Sequence, residues 1–263
     1  MGKKYIKILI AAAGVFLAVN TIFIGVFVFG IKAKFNAGYD ANRPVNLNAV
    51  VIKDKSCGSD CFDIDKALSV IRHANVKLVK EETLDSAQAK DLIAKYNIQK
   101  LPTIVFTGEI KQNDDLIKAW EKVGEIKGNA VIFTKLNPPY FDVKEGRVLG
   151  KADVVYINDK SCGKCVSFDA YIAKLKAAGV KIANEKFVDY LSDEGKVLVS
   201  KYNITKLPAY IMSPDIKYYE SALKNWDKVG TVEKDGNYIF RNVNLFSGVS
   251  YRDLAKDAVI TNK

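Results

Sequence analysis

The stretch Asp54-Lys55-Ser56-Cys57-Gly58-Ser59-Asp60-Cys61 returns about 105 residues further on as Asp159-Lys160-Ser161-Cys162-Gly163-Lys164-Cys165. Two more blocks keep the same order and nearly the same offset. Tyr96-Asn97-Ile98-Gln99-Lys100-Leu101-Pro102 matches Tyr202-Asn203-Ile204-Thr205-Lys206-Leu207-Pro208, and Trp120-Glu121-Lys122-Val123-Gly124 matches Trp226-Asp227-Lys228-Val229-Gly230. Three anchors in fixed order mean two copies of one domain, because the period is far above the ~20–50 residues of a solenoid repeat. All 4 cysteines of the chain stand at the matching place in the two copies. The chemistry the copies share is expected there.

Outward from the first cysteine block, Ala49-Val50-Val51-Ile52 is a short apolar run that reads as a buried strand. Phe62, Ile64, Ala67, Leu68 and Ile71 then recur at helical spacing, and Val76, Leu78 and Val79 read as a second strand. Asp85 with Gln88 has the form of a capping box for a helix through Leu92, Ile93 and Tyr96. Pro102 leads directly into the β-branched run Thr103-Ile104-Val105-Phe106; a helix around Asp115–Trp120 and a hairpin turning at Gly128-Asn129 follow. The second copy repeats this order. Its strand is Val154–Ile157, its helix carries Phe168, Tyr171, Ile172 and Leu175, Pro208 precedes Ala209–Met212, and Asp235-Gly236 turns its hairpin. Strands alternating with helices imply an α/β domain with helices packed on a mixed sheet.

Residues 8–31 are apolar apart from Asn20 and Thr21, about 24 positions, enough to cross a ~30 Å hydrocarbon core as a transmembrane helix. A cleavable signal peptide fits less well, since its apolar stretch runs only ~7–15 residues and ends at small residues. Lys3, Lys4 and Lys7 cluster before the span, which favours residues 1–7 inside and the bulk of the chain outside. Residues 32–47, with Gly38, Pro44 and several Asn, read as a linker; domain 1 then covers 48–147 and domain 2 covers 148–263, the join marked by Asn137-Pro138-Pro139 and Gly146-Arg147. The net charge is +10, but the lysines are interleaved with Asp and Glu and no RNA- or DNA-binding signature is present. A solvated lysine-rich surface is expected, with no nucleic-acid partner; membrane lipid is met through the anchor.

A cysteine pair after the first strand, with an X-Pro before a later strand, resembles the thioredoxin superfamily, here twice over. The resemblance covers nearly everything after residue 47. It implies two tandem thioredoxin-like domains in which the cysteine pair opens a helix. It also implies that Pro102 and Pro208, preceded by Leu101 and Leu207, are cis, sit beside the cysteines and line the groove where substrate backbone docks. Two such domains in one chain are similar to protein disulfide oxidoreductases. The sequence departs from the family at several positions. Ser56 and Ser161 replace the usual aromatic before the first cysteine, Val51 and Tyr156 stand where an acid is usual, and the first pair is C-x-x-x-C.

Thiol–disulfide exchange needs a thiolate, an accessible sulfur and a second thiol to resolve the mixed disulfide. A helix N-terminus stabilises the thiolate. On that basis Cys162 is expected to attack, helped by Lys164, and Cys165 to resolve. Three residues of helix put the two Cα atoms roughly 5 Å apart, and the four residues from Cys57 to Cys61 roughly 6 Å. Cys57 and Cys61 are a second redox pair or a structural site. Zinc held by the four thiolates is the rival chemistry, disfavoured because each pair belongs to its own domain; neither metal nor cofactor is expected. The function expected is a membrane-anchored thiol–disulfide oxidoreductase that exchanges disulfides with cysteine-containing protein clients and an unidentified electron partner. The alternative is a redox-inactive binding module on the same anchor. His73 reads as a surface residue.

Overall fold

The computed structural model of the protein describes residues 44–73, 76–112, 114–167 and 169–262. The expected N-terminal residues 1–7, the span 8–31 and the linker as far as residue 43 lie outside them. Among the described residues no helix is long and apolar enough to cross a membrane. The chain divides into two compact units, one ending at Leu149 and the other beginning at Gly150.

In the first unit, β1 (Val45–Lys53) runs parallel to β2 (Val76–Asp85), with α1 (Ile64–Arg72) between them in sequence. After α2 (Lys90–Lys95) come the two-residue β3 (Lys100–Leu101) and β4 (Thr103–Gly108), which returns antiparallel along β1. Helix α3 (Asp114–Val123) then leads to the hairpin β5 (Gly124–Lys127) and β6 (Ala130–Phe133). The sheet order is β2-β1-β4-β6-β5. A closing hairpin, β7 (Tyr140–Asp142) and β8 (Arg147–Leu149), joins β3 in a separate three-stranded sheet.

The second unit has the same plan. Strands β9 (Lys151–Asn158) and β10 (Lys181–Asp189) are parallel and flank α4 (Asp169–Ala177) in sequence. Helix α5 (Asp193–Lys201) precedes β11 (Lys206–Leu207) and β12 (Ala209–Met212). Two single-turn helices, α6 (Glu220–Leu223) and α7 (Trp226–Val229), precede the hairpin β13 (Gly230–Val232) and β14 (Tyr238–Phe240). The order is β10-β9-β12-β14-β13, and β11 pairs with a last hairpin, β15 (Ser250–Asp253) and β16 (Ala258–Thr261).

The cores follow from the two-residue period of the strands. Along β9, Ala152, Val154 and Tyr156 enter one buried cluster with Met212, Trp226 and Phe240, while Ile157 enters another with Tyr202, Leu207 and Ile239. Each of these large side chains, when fully buried, contributes on the order of 1.5–3 kcal/mol.

The repeated blocks have local reasons. Asn97 and Asn203 adopt φ of 46° and 48° just past helices α2 and α5, the left-handed position that ends a helix and that Asn tolerates. A Cβ on Gly124 would stand 1.8 Å from the Ile132 carbonyl oxygen, and one on Gly230 would stand 2.3 Å from that of Ile239. Only glycine lets β5 and β13 approach their partners so closely. Asp85 and Gln88 bond reciprocally, Gln88 N to Asp85 Oδ1 at 2.9 Å and Asp85 N to Gln88 Oε1 at 3.0 Å, although regular helix starts only at Lys90.

Two expectations need correction. The linker does not extend to residue 47, because Val45 and Leu47 are fully buried and β1 begins at Val45. Nor do the cysteines open a helix: α1 begins at Ile64 and α4 at Asp169.

Candidate functional site

Cys57 closes a short 3-10 turn, Lys55–Cys57, whose cap Asp54 accepts a hydrogen bond from the Ser56 amide. The chain then turns through Gly58 at φ 53° to Cys61. Cys162 is reached by the same turn, its amide donating to the Asp159 carbonyl at 3.1 Å just as Cys57 donates to Asp54 at 3.1 Å. Cys57 is joined to Cys61 and Cys162 to Cys165, with Cα separations of 5.2 and 5.4 Å. The first pair is no wider than the second, contrary to the helical estimate. Its extra residue is taken up in a turn, where Asp60 N donates to Cys57 O, and not along a helix.

The backbone after the second cysteine explains why no helix starts there. Cys165 forms a bridge with Ser250, and Val166 N donates to Ser250 O at 2.8 Å. In the first unit Phe62 N donates to Pro139 O at 2.9 Å, and Asp63 then caps α1 through the Lys66 amide. Backbone groups that could begin a helix are committed to the closing hairpin. The helix-dipole support expected for Cys162 is therefore absent from its immediate position, since α4 starts four residues beyond Cys165.

In the first unit the structure brings the expected residues together. Cys57, Cys61 and Pro102 line one cavity of about 490 Å³ with Asp54, Thr83 and Asp85. Cys57 Sγ lies 3.8 Å from the Leu101 carbonyl oxygen, and the Leu101–Pro102 bond is cis. Leu207–Pro208 is cis as well. Cys57 is buried, whereas Cys61, Cys162 and Cys165 are half-buried. The side chains of Leu101 and Leu207 are fully buried in the cores. Their backbones are also engaged, Leu101 opposite Phe141 of β7 and Leu207 opposite Arg252 of β15.

Each loop carries a carboxylate. In the second unit Asp159 accepts from the Ser161 amide and hydroxyl and from Arg252 Nε at 2.7 Å, with side-chain exposures of 1% for Asp159 and 17% for Arg252. Burial pushes this carboxyl up, but the Ser161 and Arg252 bonds outweigh it and hold it below the usual carboxylate range. In the first unit Asp54 accepts from Ser56 and, at 2.5 Å, from the Ser86 hydroxyl. Burial pushes it up too, and the serine bonds hold it down. His73 is exposed, its Nδ1 2.6 Å from the Ser69 carbonyl oxygen.

Sequence reading missed Arg252, Ser86 and the closing hairpins. A signal existed: Tyr140-Phe141-Asp142 and Tyr251-Arg252-Asp253 form a fourth repeated block. Both aspartates accept from the amides two and three residues on. The block lies at an offset of about 111 residues, not 105, and so falls outside a fixed-period comparison.

No family model and no curated protein matches the sequence. Among solved structures, the chain is similar to the NTD_N/C domain of the alkylhydroperoxide reductase AhpF from Enterococcus faecalis, at 14% identity over 70% of this chain and 87% of that one, TM-score 0.23. ERdj5 form I matches at 14% identity over 69% of this chain and 25% of its own, TM-score 0.21. Human ERp44 form I matches at 14% over 69% and 46%, TM-score 0.17. At these scores the likenesses assign neither fold nor function to this chain.

Proposed function

We propose that the chain is a thiol–disulfide oxidoreductase built of two tandem thioredoxin-like domains behind an N-terminal membrane anchor, with both domains outside the cytoplasm. The observation that carries this is the grouping of Cys57, Cys61 and Pro102 around one cavity. The second unit places Cys162 and Cys165 in the matching loop, also at disulfide distance.

A client thiolate attacks one sulfur of the oxidised pair, the S–S bond breaks, and the other sulfur leaves as a thiolate. A second client thiol resolves the mixed disulfide, so the client gains a disulfide and the pair gains two electrons and two protons. In the reverse direction Cys162 attacks a client disulfide and Cys165 resolves. Pro102 lines the cavity that holds Cys57 and Cys61, and Pro208 is assigned the same part in the second unit. Because the backbone edges of Leu101 and Leu207 are taken by the units' own hairpins, the client approaches over the cysteine loop.

The test uses a chain with Cys57 and Cys61 replaced by Ala. Cys165→Ala should accumulate mixed disulfides between Cys162 and client proteins on non-reducing gels. If a matched Cys162→Ala chain traps clients and Cys165→Ala does not, the nucleophile is reversed. If neither does, and neither pair of the parent chain exchanges with glutathione, the chain is a thioredoxin-fold binding module. For location, an impermeant maleimide should label reduced Cys162 on intact cells; labelling only after lysis would place the units inside.

A further inference from the structure

We infer that Arg252 is a positioning residue that makes the Cys162–Cys165 pair the more oxidising of the two, leaving Cys57–Cys61 as the pair that holds its disulfide more tightly. This rests on the oxidoreductase assignment above and sets an order between its two sites.

The two loops share backbone geometry but differ in charge. In the second unit the loop carboxylate, Asp159, is neutralised by Arg252, which reaches it from β15, the strand that also pairs with Leu207 and bridges Cys165. Lys160 and Lys164 add exposed positive charge, Lys164 between the two cysteines. The acids beyond them are Asp169 at the start of α4, the buried Asp253, which accepts from the Ala255 and Lys256 amides, and Asp257, 3.6 Å from Arg252. In the first unit the residue matching Arg252 is Phe141, opposite Leu101. Among the described residues no basic group pairs with Asp54, whose hydrogen bonds come from Ser56 and Ser86. Asp60 stands between the cysteines where the second copy has Lys164. Lys53 and Lys55 are engaged with Asp65 and Asp85, and Asp63 caps α1.

Reducing either pair with glutathione breaks its S–S bond through a mixed disulfide. The pair takes two electrons and two protons while two glutathione thiols become one glutathione disulfide. Positive charge beside the loop stabilises the thiolate form of the reduced pair, whereas a loop carboxylate without a basic partner, such as Asp54, destabilises it. The disulfide of the second unit is thereby the easier to reduce.

The experiment equilibrates the full chain in glutathione buffers, quenches it with an alkylating reagent and reads the two pairs separately by mass. The equilibrium constants should differ at least tenfold, about 30 mV, with Cys162–Cys165 reduced first. Arg252→Gln should move the second pair toward the first by roughly three- to tenfold, the scale of one unit charge acting through partly solvated protein. Arg252→Lys should restore most of the difference. Lys164→Asp changes an exposed residue, so it tests the same charge effect if Arg252→Gln fails to fold, and should shift the second pair in the same direction. A pure packing role for Arg252 would leave both potentials and the pH dependence of Cys162 alkylation unmoved in folded Arg252→Gln. Equal potentials, the reverse order, or an Arg252→Gln or Lys164→Asp chain with an unshifted second pair overturns the inference while leaving the oxidoreductase assignment standing. If neither pair exchanges with glutathione at all, both fall together.

Discussion

Leu207→Ala separates a docking role for this side chain from a packing role. Leu207 is fully buried and packs in a cluster with Tyr202, Ile204, Ala209, Ile211 and Ile239. Truncation removes buried methyl groups and leaves a cavity whose walls are strand and helix side chains, with little room to collapse. Leu→Ala changes at such sites cost ~3–5 kcal/mol, and about 3 kcal/mol is expected here. The chain holds 2 tryptophans, Trp120 in the first unit and Trp226 in the second. A Trp120→Phe background therefore makes fluorescence a reporter of the second unit alone. With a urea slope of about 1.5 kcal/mol per molar for a unit of this size, the midpoint should fall by about 2 M. Disulfide exchange at Cys162, measured in the remaining folded protein without urea, should change little. A midpoint shift below about 0.5 M, or a loss of exchange with stability intact, would refute the packing account and return Leu207 to the client groove.

The glycines that end the third repeated block give a sharper contrast. Gly124→Ala and Gly230→Ala should each destabilise their unit by at least ~2 kcal/mol, because the new methyl meets backbone. Gly163→Ala, with nothing within 4 Å of its Cβ, should stay within ~0.5 kcal/mol of the parent in the same urea melts. Acid should also act through Asp159. Its folded carboxyl lies below the ordinary value of 3.8, so the stability it contributes is present above about pH 4 and is lost as pH falls through the lowered value. Asp159→Asn should flatten that part of the acid unfolding curve of the second unit, and an unchanged curve would place the acid sensitivity elsewhere.

Much of this architecture is written in the chain at short range. Val154, Tyr156 and Ile157 alternate as a strand must, Asp235-Gly236 turns a hairpin, and Asp85 and Gln88 bond each other as their spacing implies. The cysteine loops were legible as paired sulfurs, because spacing alone limits how far apart such residues can lie. Their surroundings were not. Whether a helix starts at Cys162 depends on Ser250, which is remote in sequence and captures the backbone that would begin it. The partner of Asp159 is equally remote, and nothing local distinguishes Arg252 from the other exposed-looking basic residues of a lysine-rich chain. Side-chain propensity reports the elements, whereas the charge state of the site is set by long-range pairing of the closing hairpin.

The most direct test of the central claim is transfer of a disulfide from the oxidised chain to a reduced, unfolded peptide containing two cysteines, followed by mass and compared with the same peptide in glutathione disulfide alone. The account expects the oxidised chain to form the peptide disulfide faster than equimolar glutathione disulfide does. The peptide's two electrons should be recovered as free thiols at Cys162 and Cys165 first, and the activity should be absent from a chain lacking all four cysteines. A peptide that is oxidised no faster than in glutathione disulfide, with both protein disulfides intact throughout, would contradict it.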